Sequence, residues 1–368
     1  MKRIGFVGWR GMVGSVLMAR MIEENDFVNI DPVFFTTSQL GEEGPDVGKP
    51  TSNLQDAYEI SCLKEMDIVV SCQGSDYTKR VFPSLRGSGW DGAWIDSASV
   101  LRMRDDSIIV LDPVNQNIID KALDQGVRNF IGGNCTVSLM LMAIGSLLQQ
   151  NLVEWVSVMT YQAASGAGAR SMGELISQMG YIKTAASADQ IDLVSSILEI
   201  DKKVTEALRS SGFPRSQFGV PLAGSLIPWI GGEIDRGQSC EEWKGQAETH
   251  RIMGNQQGYV AIDGICVRIG AMRSHCQALT IKLRNDIPIS DIENMITESC
   301  EWVSVVPNQR DETISKLSPA AVSGTLSIPV GRLRKMNMGA EYLSAFIVGD
   351  QLLWGAAEPL RRMISMLI

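Results

Sequence analysis

Seven cysteines are spread over 368 residues, and one stands where a nucleophile would. Cys135 follows Phe130-Ile131-Gly132-Gly133-Asn134 and precedes Thr136 and a strongly apolar helical stretch, Val137 to Leu148. This spacing predicts a sulfur near a helix N-terminus, where the dipole favours thiolate over thiol, and the glycine pair leaves room for a ligand. A thiolate attacks carbonyl carbon and leaves again readily, which is the chemistry of covalent acyl transfer. The bland alternative is a buried small hydrophobe, and local context leaves both open. Cys62, Cys72, Cys240, Cys266, Cys276 and Cys300 lack comparable surroundings and read as packing residues.

A second feature lies near residue 8. Gly8-Trp9-Arg10-Gly11-Met12-Val13-Gly14 is GxxGxxG, between the apolar run Ile4 to Val7 and the helically spaced Val13, Val16, Leu17 and Met21. Glycines there let the backbone turn tightly and approach a pyrophosphate, with a helix N-terminus facing the charge. The spacing departs from GxGxxG, so an ordinary glycine-rich turn is the alternative; its place at the head of an α/β pattern favours a dinucleotide. The next strand ends Phe35-Thr36-Thr37-Ser38-Gln39, with no carboxylate for a ribose 2′-hydroxyl. Hydroxyls, an amide and nearby Arg10 suit a 2′-phosphate, so the expected cofactor is NADP.

Elements must bring these features together. At about 150 residues per domain the length predicts two domains. Short apolar runs at Ile4–Val7, Val33–Thr36, Asp67–Cys72, Ala93–Asp96, Ile108–Leu111 and Asn129–Ile131 alternate with helical patterns. That alternation predicts a parallel, doubly wound, Rossmann-like sheet. After Gly133 the strands lengthen and partly alternate, at Val156–Gln162, Val260–Ile269 and Gln277–Arg284, with helical stretches over 171–180, 190–210 and 240–253. The last has a capping box, Ser239 with Glu242, and stops at Gly254. This predicts a second, α+β domain. Leu360, Met363, Ile364 and Leu367 share a helical face and must dock somewhere, with the first domain as the expected place. The expected class is therefore α/β: a nucleotide-binding domain of residues 1–133 plus 355–368, and a catalytic and dimerisation domain of residues 134–354.

Bulk properties exclude several functions. A net charge of −9 argues against a nucleic-acid-binding surface or an anionic membrane partner. No run approaches the roughly 20 apolar residues of a membrane span, and glycines interrupt the apolar start, so no signal peptide forms. Seven irregularly spaced cysteines without a CxxC pair suit a reducing, cytoplasmic compartment. Two histidines, His250 and His275, leave little for a metal site, and none is expected.

Longer stretches carry a resemblance. GFVGWRGMVGSVLM, GGNCTVSLMLM, YQAASGAGAR, WKGQAET, VRIGAMRSHCQA, PVGRLRKMNMG and VGDQLLWGAAEPLRRM together resemble aspartate-β-semialdehyde dehydrogenases of the Gram-negative bacterial type, essentially end to end. The resemblance implies interconversion of L-aspartate-β-semialdehyde and L-β-aspartyl phosphate with NADP and inorganic phosphate, in the biosynthesis of lysine, threonine, methionine and diaminopimelate, by a homodimer. It implies Cys135 as nucleophile, His275 as general acid/base and Gln162 as a positioning group. It assigns Arg268 to the substrate α-carboxylate, Glu241 to the α-ammonium, Arg102 and Lys244 to phosphate, and Asn134 to substrate binding. Gly8, Arg10, Gly11, Met12, Val13, Thr37, Ser38, Gln73, Ser165, Gly166 and Gln351 would contact the cofactor.

The residue types fit these implied roles. Arginine matches a carboxylate bidentately, and histidine exchanges protons near neutrality. Glu241 and Lys244 are three apart, hence on one helical face. Each has a plainer alternative: a structural histidine, an exposed helix ion pair, a surface-loop Arg102. Arg268 and His275, seven apart, would point to opposite faces of one straight strand; a turn at Gly270 is needed. The nearest competing function is an N-acetyl-γ-glutamyl-phosphate reductase-like activity, whose acetylated substrate has no use for Glu241. A non-enzymatic NADP sensor would keep the glycine loop but need neither Cys135 nor the cations.

Overall fold

The computed structural model describes residues 1–186, 197–254 and 260–368. Each short apolar run of the first 133 residues is a buried strand, and a short, half-buried polar strand, β3, joins them: β1 (Lys2–Val7), β2 (Ile30–Thr36), β3 (Gln55–Asp56), β4 (Ile68–Ser71), β5 (Ala93–Asp96), β6 (Ser107–Val110) and β7 (Asn129–Gly132). They form one sheet in the order β3-β2-β1-β4-β5-β7-β6, parallel throughout. Helices cover both faces, which is why these strands are apolar on both sides rather than alternating.

The longer strands form a second, mixed sheet: β8 (Val153–Gln162), β9 (Leu226–Ile227), β10 (Ala261–Ile269), β11 (His275–Leu283), β12 (Val303–Val305), β13 (Ile328–Met336) and β14 (Gly339–Gly349), in the order β12-β13-β14-β11-β8-β10-β9. Here burial alternates. Val156, Val158, Leu279, Ile281, Leu343, Ala345 and Ile347 face a core built around helix Cys135–Gln149. On the opposite face Met159, Thr280 and Ser344 are half-buried and Ile265 is 48% exposed. The expected helices are found over Ala169–Ala186, Ile197–Arg209 and Cys240–Met253; the first residues of the expected 190–210 stretch lie outside the described residues. The capping box of Ser239 and Glu242 forms. β13 lies in a quoted C-terminal motif and β14 mostly between two of them, where sequence periodicity alone assigned no strand. Among the described residues, no helix is long and apolar enough to cross a membrane.

After β14 the chain turns through a π-helical segment, Leu353–Ala357, into helix Glu358–Leu367. Leu360, Met363 and Ile364 complete the core of the first sheet with Ile4, Phe6, Ile68 and Phe130. Beside them Glu358 pairs with Arg20 at 3.1 Å and with Arg361 at 2.8 Å, and Arg361 reaches Asp26 at 3.0 Å. A buried carboxylate shared by two cations satisfies charges that burial would otherwise penalise. The terminal helix thus docks on the first sheet, and residues 350–357 bridge the two sheets. Leu360 is fully buried. Leu360→Ala should destabilise the first sheet by about 3 kcal/mol, measured by urea denaturation; a change within error would mean that the helix is not part of that core.

Candidate active site

Each functional side chain is set by the end of an element. β7 ends at Gly132, and Asn134 caps the helix that starts at Cys135: its Oδ1 accepts from the amides of Thr136 at 3.0 Å and Val137 at 3.2 Å. This cap satisfies amides that a helix start leaves unpaired. It also fixes the first helical residue, Cys135. Gln162 is the last residue of β8 and pairs in register with Arg268 near the end of β10. The chain then turns through 270–274, with Ser274 in the left-handed region at φ +73°, and His275 opens β11. The turn at Gly270 therefore brings Arg268 and His275 to one end of the sheet, as the sequence required.

A cleft of about 750 Å³ lies between the two sheets. Cys135, Asn134, Gln162, Arg102, Glu241, Lys244 and Arg268 line it, as do Met12, Val13, Ser165, Gly166 and Gln351. The expected catalytic, substrate and several cofactor residues are thus brought together. His275 is 1% exposed and stands behind Gly166, where a built Cβ would lie 3.2 Å from its Nε2 and 2.7 Å from Arg268 Nη1. Gly8, Arg10, Gly11, Thr37, Ser38 and Gln73 do not line this cleft. Gly8, at φ +74°, leaves no room for a Cβ against the backbone of Cys72 and Gln73, and a Cβ on Gly14 would lie 2.2 Å from the Gly8 carbonyl. The turn thus demands glycine where the sequence has it. Helix Met12–Glu23 follows with no side-chain cap on its amides. Arg10 Nη2 lies 3.4 Å from Thr36 Oγ1 and 3.3 Å from Ser38 Oγ. Free helix-start amides beside a glycine turn fit a dinucleotide pyrophosphate.

The charges around the thiol, Arg268 excepted, are paired. Lys244 Nζ meets Glu241 Oε2 at 3.0 Å; Glu241 Oε1 accepts from Asn134 Nδ2 at 2.9 Å and Gln162 Nε2 at 3.2 Å. The helix ion pair does form, but within the cleft rather than on a solvated face. Burial opposes the Glu241 charge, yet Lys244, Asn134 and Gln162 outweigh it and hold the carboxyl below its ordinary range. Arg102 is no surface arginine: Nε donates to Gly132 O at 2.7 Å, Nη2 to Gly133 O at 3.0 Å, and Nη1 to Glu248 Oε1 at 2.9 Å. Arg268 Nη1 donates to Ala163 O at 2.9 Å.

Two acid–base groups depart from the simplest expectation. A helix N-terminus favours thiolate, but burial pushes the Cys135 thiol up to about 12, with Glu241 adding to the effect and Arg268, Lys244 and Arg102 opposing it. Burial, then repulsion from Arg268, pushes His275 down to about 3. Its Nδ1 accepts the Ala163 amide at 3.1 Å, so the neutral ring carries its proton on Nε2, which has no partner among the described residues. Thiol and imidazole are both neutral near pH 7.

Sequence reasoning missed several residues. Glu248 is buried and touches both Arg102 and the Asn134 amide; its position seven beyond Glu241 and four beyond Lys244, on the same helical face, was the available signal. Gln277 holds Thr136 O at 2.8 Å. Ala163 acts through its backbone, which no side-chain motif reveals. Gln351 lines the cleft as expected, but its amide is already engaged: Oε1 accepts from the Ser274 amide at 3.1 Å, and Nε2 donates to Ser165 Oγ at 2.5 Å. Among the described residues no cluster of three or more His, Cys, Asp or Glu is arranged for a metal.

A nucleotide-binding sheet that shares its cleft with a helix-start cysteine and a second, mixed sheet defines an oxidoreductase working with an NAD(P)-type dinucleotide. Comparison with known proteins narrows the class. Residues 3–122 match the semialdehyde dehydrogenase NAD-binding domain, and residues 144–354 the semialdehyde dehydrogenase dimerisation domain. Aspartate semialdehyde dehydrogenase from Francisella tularensis is 46% identical, with 100% of both chains covered and a TM-score of 0.94. The fold extends to aspartate semialdehyde dehydrogenase II from Vibrio cholerae complexed with ASA, at 20% identity over 100% of this chain and 98% of that one, TM-score 0.80. It extends also to the Candida albicans aspartate semialdehyde dehydrogenase with NADP, at 16% identity over 100% and 98%, TM-score 0.67. The chain belongs to the aspartate-semialdehyde dehydrogenase family and is an oxidoreductase of that type.

Two outcomes follow from this geometry. Gly166→Ala must displace Arg268 or His275, and a misplacement near 1 Å should lower kcat/KM by about a hundredfold with the fold retained by circular dichroism; wild-type kinetics would show that neither group matters. Because only the thiolate is nucleophilic, a raised pKa means slow attack at neutrality. Alkylation of Cys135 by iodoacetamide, followed by peptide mass spectrometry, should therefore accelerate about tenfold per unit from about pH 7 to 9 without a plateau. A plateau near pH 7 would contradict the raised value.

Proposed function

We propose that this chain interconverts L-aspartate-β-semialdehyde and L-β-aspartyl phosphate, with NADP and inorganic phosphate, through a thioester on Cys135. The observation that carries the proposal is that Arg102, Lys244, Arg268 and Glu241 open onto the same cleft as the Cys135 sulfur. Such a substrate pair brings an α-carboxylate, an α-ammonium and a phosphate, and these side chains are their complements. Arg268, which has no carboxylate partner among the described residues, takes the α-carboxylate in a bidentate pair. Glu241 meets the α-ammonium. Lys244 and Arg102 bind phosphate, while Asn134 and Gln162 position the substrate and thioester.

Substrate binding also prepares the nucleophile. Glu241 is a contributor to the high pKa of Cys135, and an ammonium placed on it offsets its field. The Cys135 thiol gives its proton to water in the open cleft, and the thiolate adds to the aldehyde carbon, whose oxygen takes up a proton to give a thiohemiacetal. His275 is assigned the acid/base role; in its neutral form the Nε2–H is the donor to the thiohemiacetal oxygen. NADP, when bound, supplies the acceptor for the departing hydride. Loss of the hydride, with the hydroxyl proton passing to water in the cleft, leaves the thioester; a phosphate oxygen attacks its carbonyl carbon and the C–S bond breaks, expelling the Cys135 thiolate. Biosynthesis runs this sequence in reverse, towards lysine, threonine, methionine and diaminopimelate.

Gly8, Gly11, Met12 and Val13 are assigned to the pyrophosphate; Arg10, Thr37 and Ser38 to the 2′-phosphate; Gln73, Ser165, Gly166 and Gln351 to the remaining cofactor contacts. The proposed division is a cofactor domain of residues 1–133 plus 355–368 and a catalytic and dimerisation domain of 134–354. The half-exposed face of the second sheet, in the segment matched to a dimerisation domain, supports a homodimer. Seven free thiols support a cytoplasmic location.

The test follows NADP reduction at 340 nm with L-aspartate-β-semialdehyde. Reduction should require phosphate, and Cys135→Ala should abolish it while NADP still binds. Phosphate-independent turnover, or substantial turnover by Cys135→Ala, would remove the acyl-transfer scheme.

A further inference from the structure

We propose that Glu248 is a positioning residue of this site: its buried carboxylate masks the charge of Arg102 and at the same time anchors the backbone amide of Asn134, the residue before the nucleophile. The inference rests on the reading of Arg102 as an anion-binding group.

Glu248 lies on helix Cys240–Met253 with Glu241 and Lys244, spaced so that all three share one face. Its surface is 2% exposed. Both oxygens are used: Oε2 accepts the Asn134 amide at 2.6 Å, and Oε1 accepts Arg102 Nη1 at 2.9 Å. Asn134 is thereby held from two sides by one helix, at its backbone by Glu248 and at its side chain by Glu241. Its cap of the following helix then sets where Cys135 begins. A glutamate that only neutralised a buried arginine would not need the second contact.

Arg102 does not depend on Glu248 for its place. The carbonyls of Gly132 and Gly133 already hold its Nε and Nη2. What the carboxylate adds is charge compensation. In the cleft stand Arg102, Lys244 and Arg268 against Glu241, with Glu248 behind Arg102, an excess of one positive charge. Removing the Glu248 charge leaves an excess of two, and the single acceptor oxygen of a glutamine can serve Arg102 Nη1 or the Asn134 amide but not both. Anions should then bind more tightly, while the loop before Cys135 loses its anchor. An acyl-phosphate site that held its anion so firmly would release product slowly, so the masking tunes Arg102 towards exchange rather than capture.

Two variants of the full chain separate charge from position. Glu248→Gln removes the charge and keeps the length; Glu248→Asp keeps the charge and shortens the reach. The first readout needs no turnover: the concentration of inorganic phosphate that halves the rate of Cys135 alkylation. It should fall severalfold in Glu248→Gln and should not fall in Glu248→Asp. The second readout is steady-state kinetics with the semialdehyde, where Glu248→Gln should lower kcat and the phosphate KM together, while Glu248→Asp lowers kcat alone. A merely structural role would raise the phosphate KM as kcat falls, in both variants. That outcome, an unchanged half-protection concentration in Glu248→Gln, or a wild type that phosphate does not protect, would overturn the proposal. Protection shifted as expected in a chain that shows no phosphate-dependent turnover would leave Glu248 its role and discard the proposed reaction instead.

Discussion

Arg102, Lys244, Arg268 and Glu241 share a cleft with one sulfur, Glu248 stands behind Arg102, and burying these five together is the constraint on which the site depends. An isolated charge in such surroundings costs several kcal/mol, and the cost is tolerable only when each ion finds a geometrically good partner. Four of the five do so in two pairs, Lys244 with Glu241 and Arg102 with Glu248. Arg268 is left with a backbone carbonyl. The site is thus electrostatically unfinished in one direction, and the unfinished position is where a carboxylate-bearing ligand completes it. The same residue acts on the histidine: burial first, and then the uncompensated guanidinium beside it, keep the His275 ring neutral.

The pairs also determine architecture. Arg102 comes from the first sheet's side of the cleft and Glu248 from a helix of the second, so the ion pair fastens the two sheets at the point where the nucleophile sits. Glu241 fastens the other side through Asn134. Cys135 is consequently aimed by contacts between sheets as much as by its own helix. This accounts for the thiol's raised pKa: the packing that fixes the sulfur also desolvates it, and this outweighs a dipole effect worth only about 1 kcal/mol.

Most of the frame was legible in the sequence because it is written in local patterns. The apolar runs of the parallel sheet, the GxxGxxG turn, the box of Ser239 with Glu242 and the stripe of Leu360, Met363 and Ile364 each encode their element within a few residues. Cys135 was legible as a helix-start cysteine, though its ionisation was not, since burial is a property of the whole fold. The meeting of Arg268 with His275 could be stated only as a requirement on Gly270. Gly166 as the spacer between them, Glu248 as the shared carboxylate and the Ala163 amide on His275 depend on contacts between residues more than a hundred positions apart. β13 and β14 escaped for different reasons: bulges shift the register along β13, whereas β14 alternates in burial over Leu343, Ala345 and Ile347 but carries the aromatic Tyr342 and Phe346 on its other face, which hides the alternation in the sequence.

The helix Glu358–Leu367 closes a core whose other walls are made from residues near the start of the chain. Nearly everything between must be synthesised before that core can be sealed. During translation the first sheet therefore emerges with an open apolar wall and waits for its last helix through the whole birth of the second sheet. At about 5–20 residues per second, that wait is tens of seconds at the slow end of the range. The vulnerable interval of this protein is set by its topology, and a nascent chain stalled short of residue 358 would carry an assembled cleft-lining cysteine on a frame that cannot finish folding.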